Sequence, residues 1–597
     1  MSSEHIPAES APKKHEIVLR GSPAAPGLTL GKVYVFKKET PRVMQWAVEQ
    51  EKLAEELERL DRAIARSEKE LTKILDFAKE KIGDLKAKIF EAQVMVLHDE
   101  FLLDSIRKRL RSELKNAEYI VSDEIGKYAG MMFAASDEYM HERAHDVEDL
   151  KFRIIRNLQH EKLFSRLEEQ VIIVSHSLTP ADTIILSRNS VLGYATDLGG
   201  ITSHAALLSA SLKIPAVVGL RDVSRSVSTG DMMILDGYSG TVIIHPDEKR
   251  IEEFKVKRDH FLHFESQLAQ LKDLPAKTID GRSVELSANI EFQEEIEYVV
   301  VQGSQGIGLY RTETLLFNRD DFPSEEEQYR EYKQVADRIY PHRVIMRTFD
   351  VGGDKIAPEM ANEDNPFLGW RGIRMMLDRP DLFLDQLRAM LRASTRKNLA
   401  IMFPMIATVE ELRKAKAFIQ KAKDELRAKK IRFDTNIKIG TMVEVPSAAF
   451  LIDRIAPETD FLSIGSNDLT QYLLAVDRNN TLVQSLYREF DPSVIATIKH
   501  IIATGRKTKK WVGICGEMAS NPLAVLLLVG LGIDELSVIP SLLPEIKKII
   551  RSINYRELQY LAESVLELDN ADAIEAKLTE FLRKECPDIP LKKEGRV

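Results

Sequence analysis

The sequence is poor in cysteine, has no surplus of positive charge, and contains no long apolar run. Two cysteines, Cys515 and Cys586, stand in 597 residues. That is too few for a disulfide framework or a thiolate zinc site, and it points to a reducing cytoplasm. Basic residues number 84 against 93 acidic ones, a net charge of −9, which argues against a chain that binds nucleic acid through its overall surface. The longest apolar runs, such as Ala524 to Val529, are far too short to cross a bilayer, so no membrane insertion is expected. A Gly-rich nucleotide loop is also missing. Residues 1–16 are polar, with Ser and Pro, and read as a disordered tail, not a signal peptide.

The length suits about three domains. Strand-like, Gly-punctuated text from Ile17 to Phe36 gives way, between about Trp46 and Leu158, to text with almost no Gly or Pro. There Leu53, Leu57, Leu60, Ile64, Leu71, Ile74 and Ala78 keep a helical 3/4 spacing. Strand text returns at Val171 to Val174 and alternates with short helices as far as Ile244. An inserted all-helical block, residues 41–164, inside one α/β domain built from 17–40 and 165–250 accounts for this order. Residues 251–275 predict a linker helix. From 276 to 597 eight β-rich runs alternate with helical text: Val284 to Ile290, Gln305 to Arg311, Val344 to Asp350, Leu399 to Met405, Lys438 to Val445, Phe461 to Asp468, Trp511 to Cys515 and Glu535 to Ile539. This predicts a (β/α)8 barrel, with a doubly wound open sheet as the alternative.

Two groups of residues carry chemistry. His204 follows Gly199 and Gly200 and begins an apolar run, with Thr202 and Ser203 as N-cap candidates. Phosphate on a histidine there would meet the free N–H groups of a first helical turn, and imidazole exchanges phosphoryl groups near neutral pH. Taken alone, His204 reads more readily as a capping or packing residue, and the second group of residues is what overturns that. The second group lies at the C-terminal ends of the barrel runs, the face where barrel enzymes place their chemistry. Arg311, Arg347 and Arg478 offer guanidinium forks for a phosphate and a carboxylate. Glu444 and Asp468 offer oxygen ligands suited to Mg2+ held jointly with a substrate phosphate. Asp350, Asn467 and Cys515 lie at the same ends. A barrel-mouth salt bridge explains any one of these residues, but five strand ends in register favour a site. A nucleophile in one domain and an anion pocket in another imply phosphoryl transfer from a small phosphorylated acid to the protein itself.

At the segments Leu178–Thr183, Gly199–His204, Gly308–Glu313, Arg347–Lys355, Asn365–Arg371, Gly440–Pro446, Ser463–Gln471 and Gly513–Glu517, the chain resembles the Enzyme I family. These are the phosphoenolpyruvate-protein phosphotransferases of the bacterial sugar phosphotransferase system. The resemblance runs from about Val18 to the C-terminal region. It implies that His204 is phosphorylated on Nε2, that Thr183 orients the other ring nitrogen, and that Arg311, Arg347, Asn467 and Arg478 hold phosphoenolpyruvate. It also implies that Glu444 and Asp468 bind Mg2+, that Cys515 protonates the enolate, that the helical insert docks the HPr histidine phosphocarrier, and that the barrel forms a homodimer.

An acidic stretch at Asp137, Glu138, Glu142, Asp146, Glu148 and Asp149 suits a basic carrier. Family members often carry Arg where Ile201 and Ala210 stand and His where Gln93 stands, which leaves open a paralogue serving a regulatory, nitrogen-type carrier. A dikinase or phosphoenolpyruvate synthase would need a nucleotide-binding domain, for which there is no room, and a scaffold would need neither His204 nor Cys515. Cys586 falls in what reads as a polar C-terminal tail.

Overall fold

The computed structural model describes residues 15–36, 42–82, 84–133, 138–159, 169–187, 191–200, 203–293, 295–316, 319, 321–352, 365–480 and 482–589. They fall into two compact units, one running to Phe261 and the other spanning Leu262–Pro590.

The first unit carries an eight-stranded sheet: β1 (Ile17–Arg20), β2 (Ser22–Ala25), β3 (Leu28–Val35), β4 (Val171–Ser175), β5 (Val191–Thr196), β6 (Ala216–Val218), β7 (Met232–Asp236) and β8 (Thr241–Ile244). Their spatial order is β1-β8-β7-β3-β4-β5-β6-β2. The inner strands β3 to β6 run parallel, and the remaining pairings are antiparallel. Although the helical block separates them in sequence, β3 and β4 are neighbours in register, with Val33 opposite Ile172 and Val35 opposite Val174. The block is therefore an excursion between two adjacent strands of one sheet. Apolar side chains fill both faces, Ile172 and Val174 on one and Ile173 and Tyr194 on the other, as parallel strands covered on both sides require.

The insert is α1 (Leu53–Ile82), α2 (Asp84–Leu97), α3 (Glu100–Glu113), α4 (Ala117–Phe133) and α5 (Glu138–Leu158). Of the periodic positions on α1, Leu60, Leu71, Ile74 and Ala78 are buried, and Leu57 and Ile64 pack partly buried against them. Each fully buried aliphatic side chain contributes about 1.5–3 kcal/mol. The same core takes in Ala181 and Ile184 of α6 (Pro180–Ser187) and Leu208 of α7 (His204–Ser211). The insert thus rests on the helices of the sheet domain. Two of the acidic residues expected to face a carrier also have partners within α5. Glu148 pairs with Lys151 at 3.0 Å, and the buried Asp149 pairs with Arg153 at 3.6 Å, both within α5. Charges three and four apart meet on one helix face, which accounts for both pairs. Asp137 and the side chains of Glu138, Glu142 and Asp146 lie outside the described residues. Two further helices, α8 (Val223–Ser226) and α9 (Glu248–Gln270), complete the order up to the barrel.

The second unit is built on β9 (Glu285–Ile290), β10 (Gly306–Arg311), β11 (Arg343–Arg347), β12 (Leu399–Phe403), β13 (Lys438–Val443), β14 (Phe461–Ile464), β15 (Trp511–Ile514) and β16 (Glu535–Val538). All eight pair parallel, and β9 joins both β10 and β16. That closes the barrel and eliminates the open-sheet alternative. Several strands end earlier than their apolar runs: β11 stops at Arg347 and β14 at Ile464. Asp350, Asn467 and Asp468 consequently lie beyond their strands. Cys586 is not in a polar tail. It caps the helix Ala571–Glu585 and is 4% exposed.

Candidate active site

In the first unit, His204 opens α7, and the N-cap Ser203 accepts a hydrogen bond from the Ala206 amide at 3.3 Å. His204 thus stands where a helix presents amides without intrahelical acceptors. Its side chain, and the whole of Ile201 and Thr202, lie outside the described residues. Thr183 is fully buried on α6, which packs beside α7. Its hydroxyl donates to the Thr179 carbonyl at 3.0 Å, leaving its oxygen lone pairs to accept from an imidazole N–H. Gln93 is 3% exposed, so a side chain at this position serves the helical core.

In the second unit, Arg311 and Arg347 end β10 and β11, while Glu444 and Cys515 directly follow β13 and β15. Asn467 and Asp468 sit in the first turn of the helix Ser466–Leu474, and Arg478 lies in the turn after it. Because the strands are parallel, all of these ends share one barrel mouth. Arg347 reaches Glu313 and Asp350, each at 3.1 Å. Arg371 grips Asp350 with two nitrogens, at 3.1 and 2.8 Å, and reaches Asp468 at 3.2 Å. Arg478 approaches Asp468 at 3.9 Å, and Arg311 pairs with Glu291. Glu444 accepts from the Met405 amide at 2.6 Å. The Asn467 amide donates to Glu517 at 3.0 Å and accepts from the Glu517 backbone N–H at 2.8 Å. The thiol of Cys515 lies 3.3 Å from the Ser463 hydroxyl, which donates to it.

Burial sets the electrostatics of this mouth. Burial first, then Asp350 and Asp468, push the Glu444 carboxyl up to about 8, against the pull of Arg347. Burial would also raise Asp350, but Arg347 and Arg371 outweigh it and hold that carboxyl below its ordinary range. Burial pushes the Cys515 thiol up to about 11 despite the Ser463 hydroxyl and Arg347, so at neutral pH the sulfur keeps its proton. Buried donors at Arg311 Nε, Arg347 Nε and Arg478 Nη1 have no hydrogen-bond acceptor among the described residues. Such donors are costly unless an anion comes to them.

Among the described residues no group of three or more His, Cys, Asp and Glu could hold a metal. Glu444 and Asp468 supply two carboxylates, and the raised Glu444 is a carboxyl that an added cation would help to ionise. A divalent ion shared with a phosphate fits that donor set. The mouth therefore brings together Arg311, Arg347, Glu444, Asn467, Asp468, Arg478 and Cys515. His204 and Thr183 belong to the other unit. Reasoning from sequence assigned no role to Arg371, Glu313 or Ser463. Arg371 was detectable only as the last residue of the Asn365–Arg371 segment.

Three family models match in turn. These are the PEP-utilising enzyme N-terminal domain over residues 20–143, the PEP-utilising enzyme mobile domain over 167–240, and the PEP-utilising enzyme PEP-binding domain over 265–555. The phosphoenolpyruvate-protein phosphotransferase of Haemophilus influenzae is 41% identical over 569 residues, covering 95% of this chain and 99% of its own. The protein of the same name from Bacillus subtilis is 39% identical, covering 95% of this chain and 100% of its own. Among solved structures, the NMR solution structure of Enzyme I (nEIt) protein is 40% identical. It covers 41% of this chain and 99% of its own, with a TM-score of 0.37.

Proposed function

The chain belongs to the phosphoenolpyruvate-protein phosphotransferases of the PEP-utilising family, and from that premise we propose how its own residues divide the work. The reaction is phosphoryl transfer from phosphoenolpyruvate to protein, the entry step of the phosphotransferase system, and pyruvate is released. His204 is the acceptor and Thr183 orients its ring. Arg311, Arg347, Asn467 and Arg478 hold the substrate phosphate and carboxylate. The observation that carries this reading is the convergence of guanidinium donors lacking acceptors with a carboxylate pair at one barrel mouth.

Enzymes of this family use a divalent metal. We assign it as Mg2+, held by Glu444 and Asp468 with the substrate phosphate, where it would neutralise charge on the transferring group. His204 attacks phosphorus, the bridging P–O bond breaks, and enolpyruvate remains. The Cys515 thiol then gives its proton to the methylene carbon, yielding pyruvate, and recovers a proton from solvent. Phosphohistidine passes its group to a histidine phosphocarrier of HPr type docked on the α1 to α5 block, and the barrel is the surface of a homodimer in the cytoplasm. No helix among the described residues is long and apolar enough to cross a membrane.

The test is labelling. Radioactive phosphoenolpyruvate should leave label on His204, and the label should chase onto purified carrier. His204→Gln should take up none. Label retained by His204→Gln would overturn the assignment.

A further inference from the structure

Opposite the mouth that faces the chemistry, a cavity of about 570 Å³ opens at the N-terminal ends of the barrel strands, lined by Arg282, Arg506, Lys509 and Trp511 among others. Its charge is unbalanced. Two carboxylates line it, and both are occupied. Asp534 accepts from Arg282 at 3.0 Å and from the Val512 amide at 3.1 Å, while Glu285 accepts from Arg343 at 3.0 Å. Lys510 gives its ammonium to the Thr459 carbonyl at 2.5 Å. Arg506 and Lys509 have no carboxylate partner among the described residues. Two of its lining side chains also carry a buried N–H, Arg282 Nε and the Trp511 indole Nε1, that makes no hydrogen bond among the described residues. A buried N–H left unpaired is costly, so an acceptor reaching either one from the cavity would relieve that cost.

We propose that this cavity is a second anion site, taking a doubly charged phosphate group carried on a small molecule. Arg506 and Lys509 supply the charge, Arg282 and Trp511 carry the unpaired N–H groups beside them, and Ile502 is the apolar lining residue available to the rest of the ligand. The cavity is larger than a bare phosphate needs. Guanidinium and ammonium together recognise phosphate through charge-assisted hydrogen bonds. The site is independent of the substrate mouth, which lies at the opposite ends of the same strands.

The chain has three tryptophans, Trp46, Trp370 and Trp511, so 5-fluorotryptophan labelling of the full chain gives three resonances, assignable by single Trp→Phe variants. Inorganic phosphate and glycerol 3-phosphate are titrated at constant ionic strength against chloride. The Trp511 resonance should shift saturably, and Arg506→Gln/Lys509→Gln should weaken that response about tenfold or more while leaving phosphoenolpyruvate turnover unchanged. Tighter binding of the ester marks an organic phosphate as the ligand, and equal binding marks phosphate itself. A Trp511 resonance that ignores both ions, or that responds equally in the double variant, overturns the site.

Discussion

Arg371 binds Asp350 through two parallel contacts, Nε to Oδ1 at 3.1 Å and Nη2 to Oδ2 at 2.8 Å. The same Nη2 also reaches Asp468 at 3.2 Å. One guanidinium therefore fixes the spacing between the carboxylate beside Arg347 and the carboxylate assigned to the metal. Burial would lower Arg371, but Asp350 and Asp468 raise it above its ordinary value, so it stays charged.

Removing that bridge should damage the site before it damages the barrel. In Arg371→Met, two buried carboxylates lose a partner, and breaking a buried ion pair costs about 3–5 kcal/mol. The expected result is weaker phosphoenolpyruvate binding, by about tenfold or more, with a lowered melting temperature. Calorimetric titration with and without Mg2+ measures the first and thermal denaturation the second. Parent affinity combined with parent stability would show the bridge to be idle.

Gly516 sets the distance between two strand ends. A Cβ there would lie 1.9 Å from Ser466 Oγ and 2.9 Å from the Ser466 backbone nitrogen. Backbone cannot yield as a flexible side chain can. Gly516→Ala should push Cys515 and Glu517 away from Asn467, and a displacement near 1 Å costs about 10²-fold in turnover. Steady-state pyruvate release checks this; a rate within twofold of the parent would mean that the neighbouring loop accommodates the methyl group.

How far this was visible in the sequence depends on what each feature rests on. The barrel was legible because eight β-rich runs separated by helical text repeat the same pattern, and the insertion because strand text resumes after the helical block. The mouth was legible because polar residues end apolar runs, as at Arg311 and Arg347. Arg371 follows no apolar run and comes to the mouth from a loop, so only its three-dimensional contacts give it a role. Asp149 looked like a surface charge because the four-residue spacing to Arg153 is legible in the sequence but the burial of the face they share is not. Cys586 looked exposed because the polar residues around it hide the packing of the last helix.

A buried carboxyl inside the barrel should make stability depend on pH. Glu535 is 2% exposed, and the glycines at 308 and 513 leave it space, since a Cβ on either would come within 2.8 Å of its oxygens. Burial, then Glu285, push it up to about 8 from an ordinary 4.5. Since the folded pKa is the higher one, the stability this proton supports is full below about 4.5 and is lost as pH rises to about 8. Glu535→Gln removes the titration. Its stability relative to the parent should rise by a few kcal/mol, on the order given by the size of the shift, between pH 4.5 and 8, and stay level above. Urea midpoints at several pH values decide it, and a constant difference between the two proteins would refute the buried-acid reading.

The last prediction separates phosphoryl transfer from protonation. The Cys515 thiol, held up near 11 by burial, is protonated throughout the neutral range and can serve as an acid, with the Ser463 hydroxyl 3.3 Å from its sulfur fixing its direction. Cys515→Ala removes no group that holds the substrate. It should bind phosphoenolpyruvate at parent affinity and still label His204, while pyruvate turnover falls by about 10²–10⁴. In heavy water the parent should deliver deuterium to one face of the methylene carbon, and Cys515→Ala should lose that preference, because enolpyruvate is then protonated by solvent. Ser463→Ala keeps the thiol but frees it to rotate, so turnover should fall less while the facial preference weakens. Cys586→Ala is a control for stability alone: it opens a small buried space at the end of the last helix and should lower the melting temperature without touching turnover. A Cys515→Ala enzyme with parent turnover and parent stereochemistry would remove the thiol from the mechanism and return Cys515 to the barrel core it shares with Leu309, Met402 and Phe461.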